Sequence, residues 1–331
     1  MRVKKAVVVI TGASTGTGRA TALRFAGKGA SVVLAARRGE ALEELAAECE
    51  RRGGRALPVQ TDVGNAGDDE TLAARAVEHF GRIDVWVNNA AVTFFSPFLD
   101  VPLADFRRVI DVNVMGYVHG CRAALRQMQQ QGSGVIVNVS SIVGEIPQPY
   151  TSAYSMSKAA VRALGVSLRS ELKLNKQNRI KVCTVMPATI DTPFFQHGGN
   201  YTGRKAVAMP PVYTPDRVAR TIVGLARSPK AETIVGPMGR MMVLQHRLAP
   251  RTMEGVMAVQ VDKTHLSRKE PASAGPGNIH VPAPDGREAA AGGGWHGRRR
   301  TAQRRVAAGA ALLAAAAGAR AVLTRPGSRR H

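Results

Sequence analysis

A chain of 331 residues, 44% of them hydrophobic, suits one domain of about 250 residues with an appendage and is short for two full domains. Its 46 Lys and Arg against 24 Asp and Glu give a formal charge of +22 at pH 7, which points to an anionic partner: a phosphorylated cofactor, a lipid surface or a nucleic acid. Three widely separated cysteines, Cys49, Cys121 and Cys183, exclude a disulfide framework and match no metal-ligand spacing; no metal site and a reducing, cytoplasmic compartment are expected.

The opening Met-Arg-Val-Lys-Lys before Ala-Val-Val-Val-Ile starts like a signal peptide. However, its apolar run is short and leads into a glycine loop, so it predicts a first strand over 7–10. Further strands are expected over 31–35, 57–60, 85–88, 135–139, 181–185 and 233–235. These runs are continuously apolar rather than alternating, as strands covered on both faces are. Helical patterns over 40–52, 71–80, 103–130 and 154–174 fill the gaps. The alternation predicts an α/β fold of Rossmann type: a doubly wound parallel sheet of about seven strands with helices on both faces.

The first strand runs into Thr11-Gly12-Ala13-Ser14-Thr15-Gly16-Thr17-Gly18. Glycines there let the backbone approach a pyrophosphate, and the helix that follows offers unpaired N–H groups to it. Gly12, Ser14, Thr15, Gly16, Thr17 and Gly18 are therefore expected to bind a dinucleotide. NAD-binding folds place an acidic residue about 20 residues further on to meet the ribose 2′-hydroxyl. Here the second strand ends Ala35-Ala36-Arg37-Arg38, which leaves room for a 2′-phosphate and a guanidinium to grip it. That favours NADP(H), with Arg37 and then Arg38 as contacts.

Tyr154 and Lys158 stand four residues apart, on one helical face. A free tyrosine holds its proton too firmly to act as a base near pH 7, and a neighbouring ammonium group would lower its pKa. The fifth strand ends just upstream in Asn138-Val139-Ser140-Ser141.

The Gly-x-x-x-Gly-x-Gly spacing and Tyr-x-x-x-Lys, in this order over roughly 4–237, resemble the short-chain dehydrogenase/reductase family. The resemblance implies hydride transfer between NADP(H) and a carbonyl or secondary alcohol, with Tyr154 as general acid/base. It selects Ser141, thirteen residues before Tyr154, as the substrate-binding serine and leaves Ser140 as its support. Asn113 matches the fourth member of a tetrad with Ser141, Tyr154 and Lys158, and would help hold a water against the lysine. Asp62 and Val63 would meet the adenine ring. Asn89 and Ala90 lie in Asn88-Asn89-Ala90-Ala91, where Ala91 replaces the family's glycine. Pro187, Ile190 and Thr192 would meet the nicotinamide end, with Ala188 again replacing a glycine. Thr15 stands where NADP-preferring relatives often carry a basic residue. The family also implies a homodimer or homotetramer with interfaces over 103–130 and 154–174. A nucleotide-binding scaffold or sensor with little turnover is the alternative.

The segment 194–213 has the composition of a lid over the substrate. Phe94, Phe95, Phe194 and Phe195 line an apolar pocket or belong to the core, and a hydrophobic small molecule is the expected substrate. The catalytic domain is expected over 1–260 and a Pro/Gly/Ala/Ser-rich flexible linker over 261–297. The Arg/Ala-rich tail, 298–331, contains an apolar stretch at 306–323, roughly 27 Å long as a helix. Three readings stand for the tail: an anchor or surface helix on an anionic membrane, a solvated extension, or, least supported, a nucleic-acid contact.

Overall fold

The computed structural model describes residues 1–283 and 290–295. The first half runs β1 (Val7–Thr11), α1 (Gly16–Ala26), β2 (Ser31–Ala36), α2 (Gly39–Arg51), β3 (Arg55–Gln60), α3 (Ala66–Phe80) and β4 (Val85–Asn88). There follow a two-residue strand β5 (Phe94–Phe95), α4 (Leu103–Ile110), a π-helical turn (Asp111–Met115), α5 (Gly116–Gln131), β6 (Gly134–Val139), α6 (Ser152–Leu174) and β7 (Ile180–Pro187). The remainder comprises α7 (Phe194–His197), β8 (Gly199–Asn200), β9 (Arg204–Ala206), α8 (Pro215–Arg227), β10 (Glu232–Val235), α9 (Pro237–Leu248), α10 (Pro250–Thr264) and β11 (Leu266–Pro271).

Seven parallel strands form the central sheet in the order β10-β7-β6-β4-β1-β2-β3. The apolar runs are explained by its two covered faces. Val8, Ile10, Val32 and Leu34 pack on one side with Phe25 of α1, Leu45 of α2 and Ile222 of α8. Val7, Val9, Val33 and Ala35 pack on the other with Leu72 of α3, Ala124 of α5 and Leu172 of α6. Each fully buried Val, Leu or Ile contributes about 1.5–3 kcal/mol. The chain winds outward from β1 in one direction and from β4 in the other. The carboxyl ends of β1 and β4 therefore flank the crevice where sheets of this kind take ligands.

Two expectations are corrected. The helix expected over 103–130 is interrupted by the π-helical turn, whose extra residue turns Asn113 inward toward the backbone of Val92. The stretch expected as a flexible linker over 261–297 begins inside α10, continues as β11 paired antiparallel with β9, and then crosses the crevice in its described part. Its prolines and glycines preclude a long helix, yet its described residues dock onto the domain. The domain boundary expected at 260 thus falls within a helix. The stretch 306–323 lies outside the described residues; among those described, no helix is long and apolar enough to cross a membrane.

Candidate active site

The glycine turn sits at the end of β1, against the turn after β4. Gly12 has φ +63°, and a Cβ there would lie 2.7 Å from the Ala90 Cα. A Cβ on Gly18 would lie 2.1 Å from the Gly12 carbonyl oxygen. The cradle is thus one that any side chain would fill. Asn89 holds it from the other side, its Nδ2 donating to the carbonyls of Thr11 at 3.0 Å and Gly12 at 3.2 Å. Ser14, Thr15, Gly16, Thr17, Asn89 and Ala90 all line one large cavity, and Gly18 supports it from behind.

Arg37, Arg38, Asp62 and Val63 line the same cavity at its far end. Asp62 is paired with Arg108 of α4, and its Oδ1 accepts from the Gly64 N–H at 3.0 Å. The Arg37 guanidinium donates to three backbone carbonyls of the C-terminal segment: Asn278 at 2.6 Å, His280 at 3.0 Å and Ile279 at 3.2 Å. The Gly16 N–H donates to the Ala290 carbonyl at 3.1 Å. Beyond it, Asp191 accepts from the N–H groups of Gly293 at 3.1 Å and Trp295 at 2.7 Å. The described residues of the segment therefore reach the crevice at both ends, and their carbonyl oxygens accept from the Arg37 guanidinium and the Gly16 N–H. Such a donor set fits a phosphorylated dinucleotide. The guanidinium has five N–H groups, so three bonds to the strap leave two for a phosphate.

At the other end of the cavity, β6 delivers Ser141, α6 delivers Tyr154 and Lys158, and β7 delivers Pro187. The Ser141 hydroxyl donates to the Pro187 carbonyl at 3.4 Å and accepts from the Val143 N–H at 3.3 Å. Lys158 is buried, and its Nζ donates to the Val139 carbonyl at 2.9 Å and the Tyr117 hydroxyl at 3.1 Å. Tyr117 passes its own proton to the same Val139 carbonyl at 2.8 Å. The lysine ammonium lies 5.5 Å from the Tyr154 ring centroid. Burial pulls Lys158 down to about 7. Burial pushes the Tyr154 phenol up to about 12, with the Ser141 hydroxyl pulling the other way. The expected lowering of Tyr154 by its lysine is therefore reversed, because desolvation acts against both charged forms.

Asn113 is buried close by, but its amide is fully engaged elsewhere. Its Oδ1 accepts from the Val92 N–H at 2.9 Å, and its Nδ2 donates to the Val92 carbonyl at 2.9 Å and Ser157 Oγ at 3.2 Å. Ser157 in turn donates to the Tyr154 carbonyl at 2.7 Å. Asn113 thus braces the helix turn that carries Tyr154, and its side chain makes no direct bond to Lys158. Ser140 donates to the Lys158 carbonyl at 2.7 Å, from a support position. Ile190 and Thr192 line the cavity, and the Thr192 carbonyl accepts from Trp295 Nε1 at 3.2 Å.

Phe95, Phe194 and Phe195 line the cavity, whereas Phe94 is buried in a separate cluster with Val109 and Ile279. Sequence reasoning missed Tyr117, Arg108, His265 and the strap. Tyr117 had a usable signal: it follows Asn113 by four residues, the spacing of a shared helix face.

Residues 6–200 match the short chain dehydrogenase family. The chain belongs to the short-chain dehydrogenase/reductase family. As such it is an oxidoreductase of the kind that binds a nicotinamide cofactor and acts on small molecules. It is 38% identical over 258 residues to the uncharacterized oxidoreductase YxnA of Bacillus subtilis, covering 77% of this chain and 72% of that one. An uncharacterized oxidoreductase of Listeria monocytogenes is 35% identical over 244 residues, covering 72% of this chain and 98% of its own. Among solved structures, a short-chain dehydrogenase/reductase of Burkholderia phymatum in complex with NAD has 26% identity and a TM-score of 0.70, covering 76% of this chain and 96% of that one. An alcohol dehydrogenase of Thermococcus sibiricus, complexed with 5-hydroxy-NADP, has 28% identity and a TM-score of 0.60, covering 70% and 95%.

Proposed function

We propose that this chain interconverts a carbonyl and a secondary alcohol on an apolar small molecule, with NADP(H) as hydride partner and Tyr154 as the proton-transfer residue. The observation that carries the reading is the meeting of Tyr154, Ser141 and Lys158 at one end of a cavity whose middle is the glycine cradle. The nicotinamide, when bound, supplies or accepts the hydride. The chain's own residues manage the oxygen and its proton. Tyr154 keeps its O–H at neutral pH because burial holds the phenol near 12. It can donate that proton to a nascent alkoxide, which is far more basic than a phenolate. Ser141 holds the substrate oxygen in line and stabilises its developing charge. Lys158, held by Tyr117 and Val139 and poised near 7, has one N–H left with which to replenish the proton.

Two features support NADP(H) over NAD(H): Ala36 stands where an acidic residue would repel a 2′-phosphate, and Arg37 keeps two N–H groups beyond its strap bonds. The known neighbours include one with an NADP derivative and one with NAD, so the preference rests on these residues. The catalytic unit in this reading extends past residue 260 to include the strap. A dimer through α5 and α6 is supported by the exposed Met156 and Val166 of α6.

NADPH consumption over a panel of apolar ketones tests the proposal, with NADH run alongside. Turnover preferring NADPH is expected. Binding of NADPH with no turnover across the panel would favour the scaffold alternative.

A further inference from the structure

The C-terminal helices and strand do more than close the fold; they place a histidine in the wall of the substrate end. His265 caps α10 just before β11 and is 4% exposed. Its backbone carbonyl accepts from the Val207 N–H at 2.9 Å, and its ring Nδ1 meets the Val207 carbonyl. Phe95 and Phe195 stand edge-on to the ring, with centroids 5.2 and 5.3 Å away. Burial in this apolar setting drops His265 to about 4, so the ring is neutral.

The tautomer follows from the partners. A carbonyl can only accept, so Nδ1 carries the hydrogen, and Nε2 of the neutral ring presents a bare lone pair. Among the described residues, Nε2 has no hydrogen-bond partner. It is not sealed within the wall either, because the ring lines the cavity and Nε2 is not one of the fully enclosed, unpaired polar atoms. An acceptor left open in an otherwise apolar wall costs free energy unless something bonds it. Phe95, Phe194, Phe195, Met209 and Met257 make up the apolar surroundings.

The distance from the chemistry separates this acceptor from the reacting oxygen. From Tyr154 the wall passes to Phe194 at 5.2 Å, to Phe195 at 5.6 Å and to His265 at 5.3 Å, centroid to centroid. We infer that His265 Nε2 accepts a hydrogen bond from a hydroxyl or N–H that the substrate carries at the end remote from its reacting carbon. The substrate class narrows accordingly: an apolar carbonyl compound, or its alcohol, with a second, donor-bearing group across an apolar body. This inference rests on the oxidoreductase reading above.

The test uses matched ketone pairs of equal length, one ending in a hydroxyl and the other in a methyl group, with the full chain and NADPH. The hydroxyl member should be preferred by about tenfold in kcat/KM. His265→Phe should bring that ratio close to one, by lowering kcat/KM on the hydroxyl member more than on the methyl member. His265→Gln, which can still donate to Val207 and present an acceptor, should retain part of the preference. A wild-type ratio near one, or a ratio that survives in His265→Phe, would overturn the assignment. The wild-type protein also gives a readout that needs no variant and no turnover: the imidazole Nε2 ¹⁵N shift on binding each member of a pair. Movement with the hydroxyl member alone supports the assignment, and identical shifts with both overturn it. If no ketone is turned over, the proposed carbonyl–alcohol reading fails, while the shift still decides the role of His265.

Discussion

The Lys158 ammonium donates to the hydroxyl of Tyr117 at 3.1 Å, across 41 residues of sequence and wholly inside the protein. Tyr117 is the side chain that makes a buried cation tolerable there, since it accepts from the lysine and hands its own proton to Val139. Tyr117→Phe removes that acceptor. Turnover should fall about tenfold, and the loss should deepen as pH rises, because the lysine would then lose its proton below about 7. The pH profile of kcat checks this: an apparent pKa unmoved by the substitution would contradict it.

Lys158 also leaves a signature in stability. Its folded pKa of about 7 lies below the ordinary 10.5, so between these values the unfolded chain binds more protons than the folded one. Stability contributed by this group therefore rises with pH from about 7 to about 10, and the cost of burying the charge is fully present below 7. Lys158→Met should abolish turnover yet be as stable as the wild type, or more so, at pH 6. The wild type should regain ground on the variant up to pH 10. Denaturant unfolding of both proteins at pH 6, 8 and 10 measures this, and parallel pH dependences would contradict it.

Arg37 serves the strap and, in the proposed reading, the cofactor. Arg37→Ala should weaken NADPH binding by about 10–100-fold and leave NADH binding within about threefold, as expected for a charge-assisted phosphate contact. It should also accelerate amide exchange around 277–281, because Asn278, Ile279 and His280 lose their anchor. Arg37→Lys should rescue neither effect fully, since one ammonium cannot serve three carbonyls and a phosphate together. Titration calorimetry and hydrogen exchange read the two effects separately.

Gly18 admits no side chain. The methyl of Gly18→Ala would meet the Gly12 carbonyl at 2.1 Å, and backbone rather than a flexible side chain would have to move. We expect a loss of about 1–3 kcal/mol in stability and at least tenfold weaker cofactor binding. Thermal unfolding with and without NADPH would reveal both, and an unchanged cofactor-induced shift would contradict the expectation.

The sheet was legible because parallel strands covered on both faces are written as apolar runs; 7–10 and 31–35 differ from β1 and β2 by a single residue at one end. The glycine turn and the Tyr154–Lys158 pair were legible because each is local. Asn113 was found by its motif, but its engagement with Val92 was hidden, since it depends on a π-helical turn that no helical periodicity announces. Tyr117 meets Lys158 only through the fold. The strap was misread because composition reports a segment's own propensity, and 278–280 and 290–295 are held by partners at Arg37, Gly16 and Asp191 instead. The balance between charge and burial at Tyr154 was likewise out of reach, because sequence spacing supplies the ammonium but not the desolvation.

The most direct measurement is single-turnover hydride transfer from NADPH to a ketone that the wild type accepts, compared between the wild type and Tyr154→Phe. The ring stays, its contact with Phe194 stays, and only the hydroxyl is lost. The rate should fall by about 10²–10⁴-fold with the NADPH dissociation constant within about twofold of the wild type. A variant that binds NADPH normally and transfers hydride at close to the wild-type rate would contradict the assignment of Tyr154 as the proton-transfer residue.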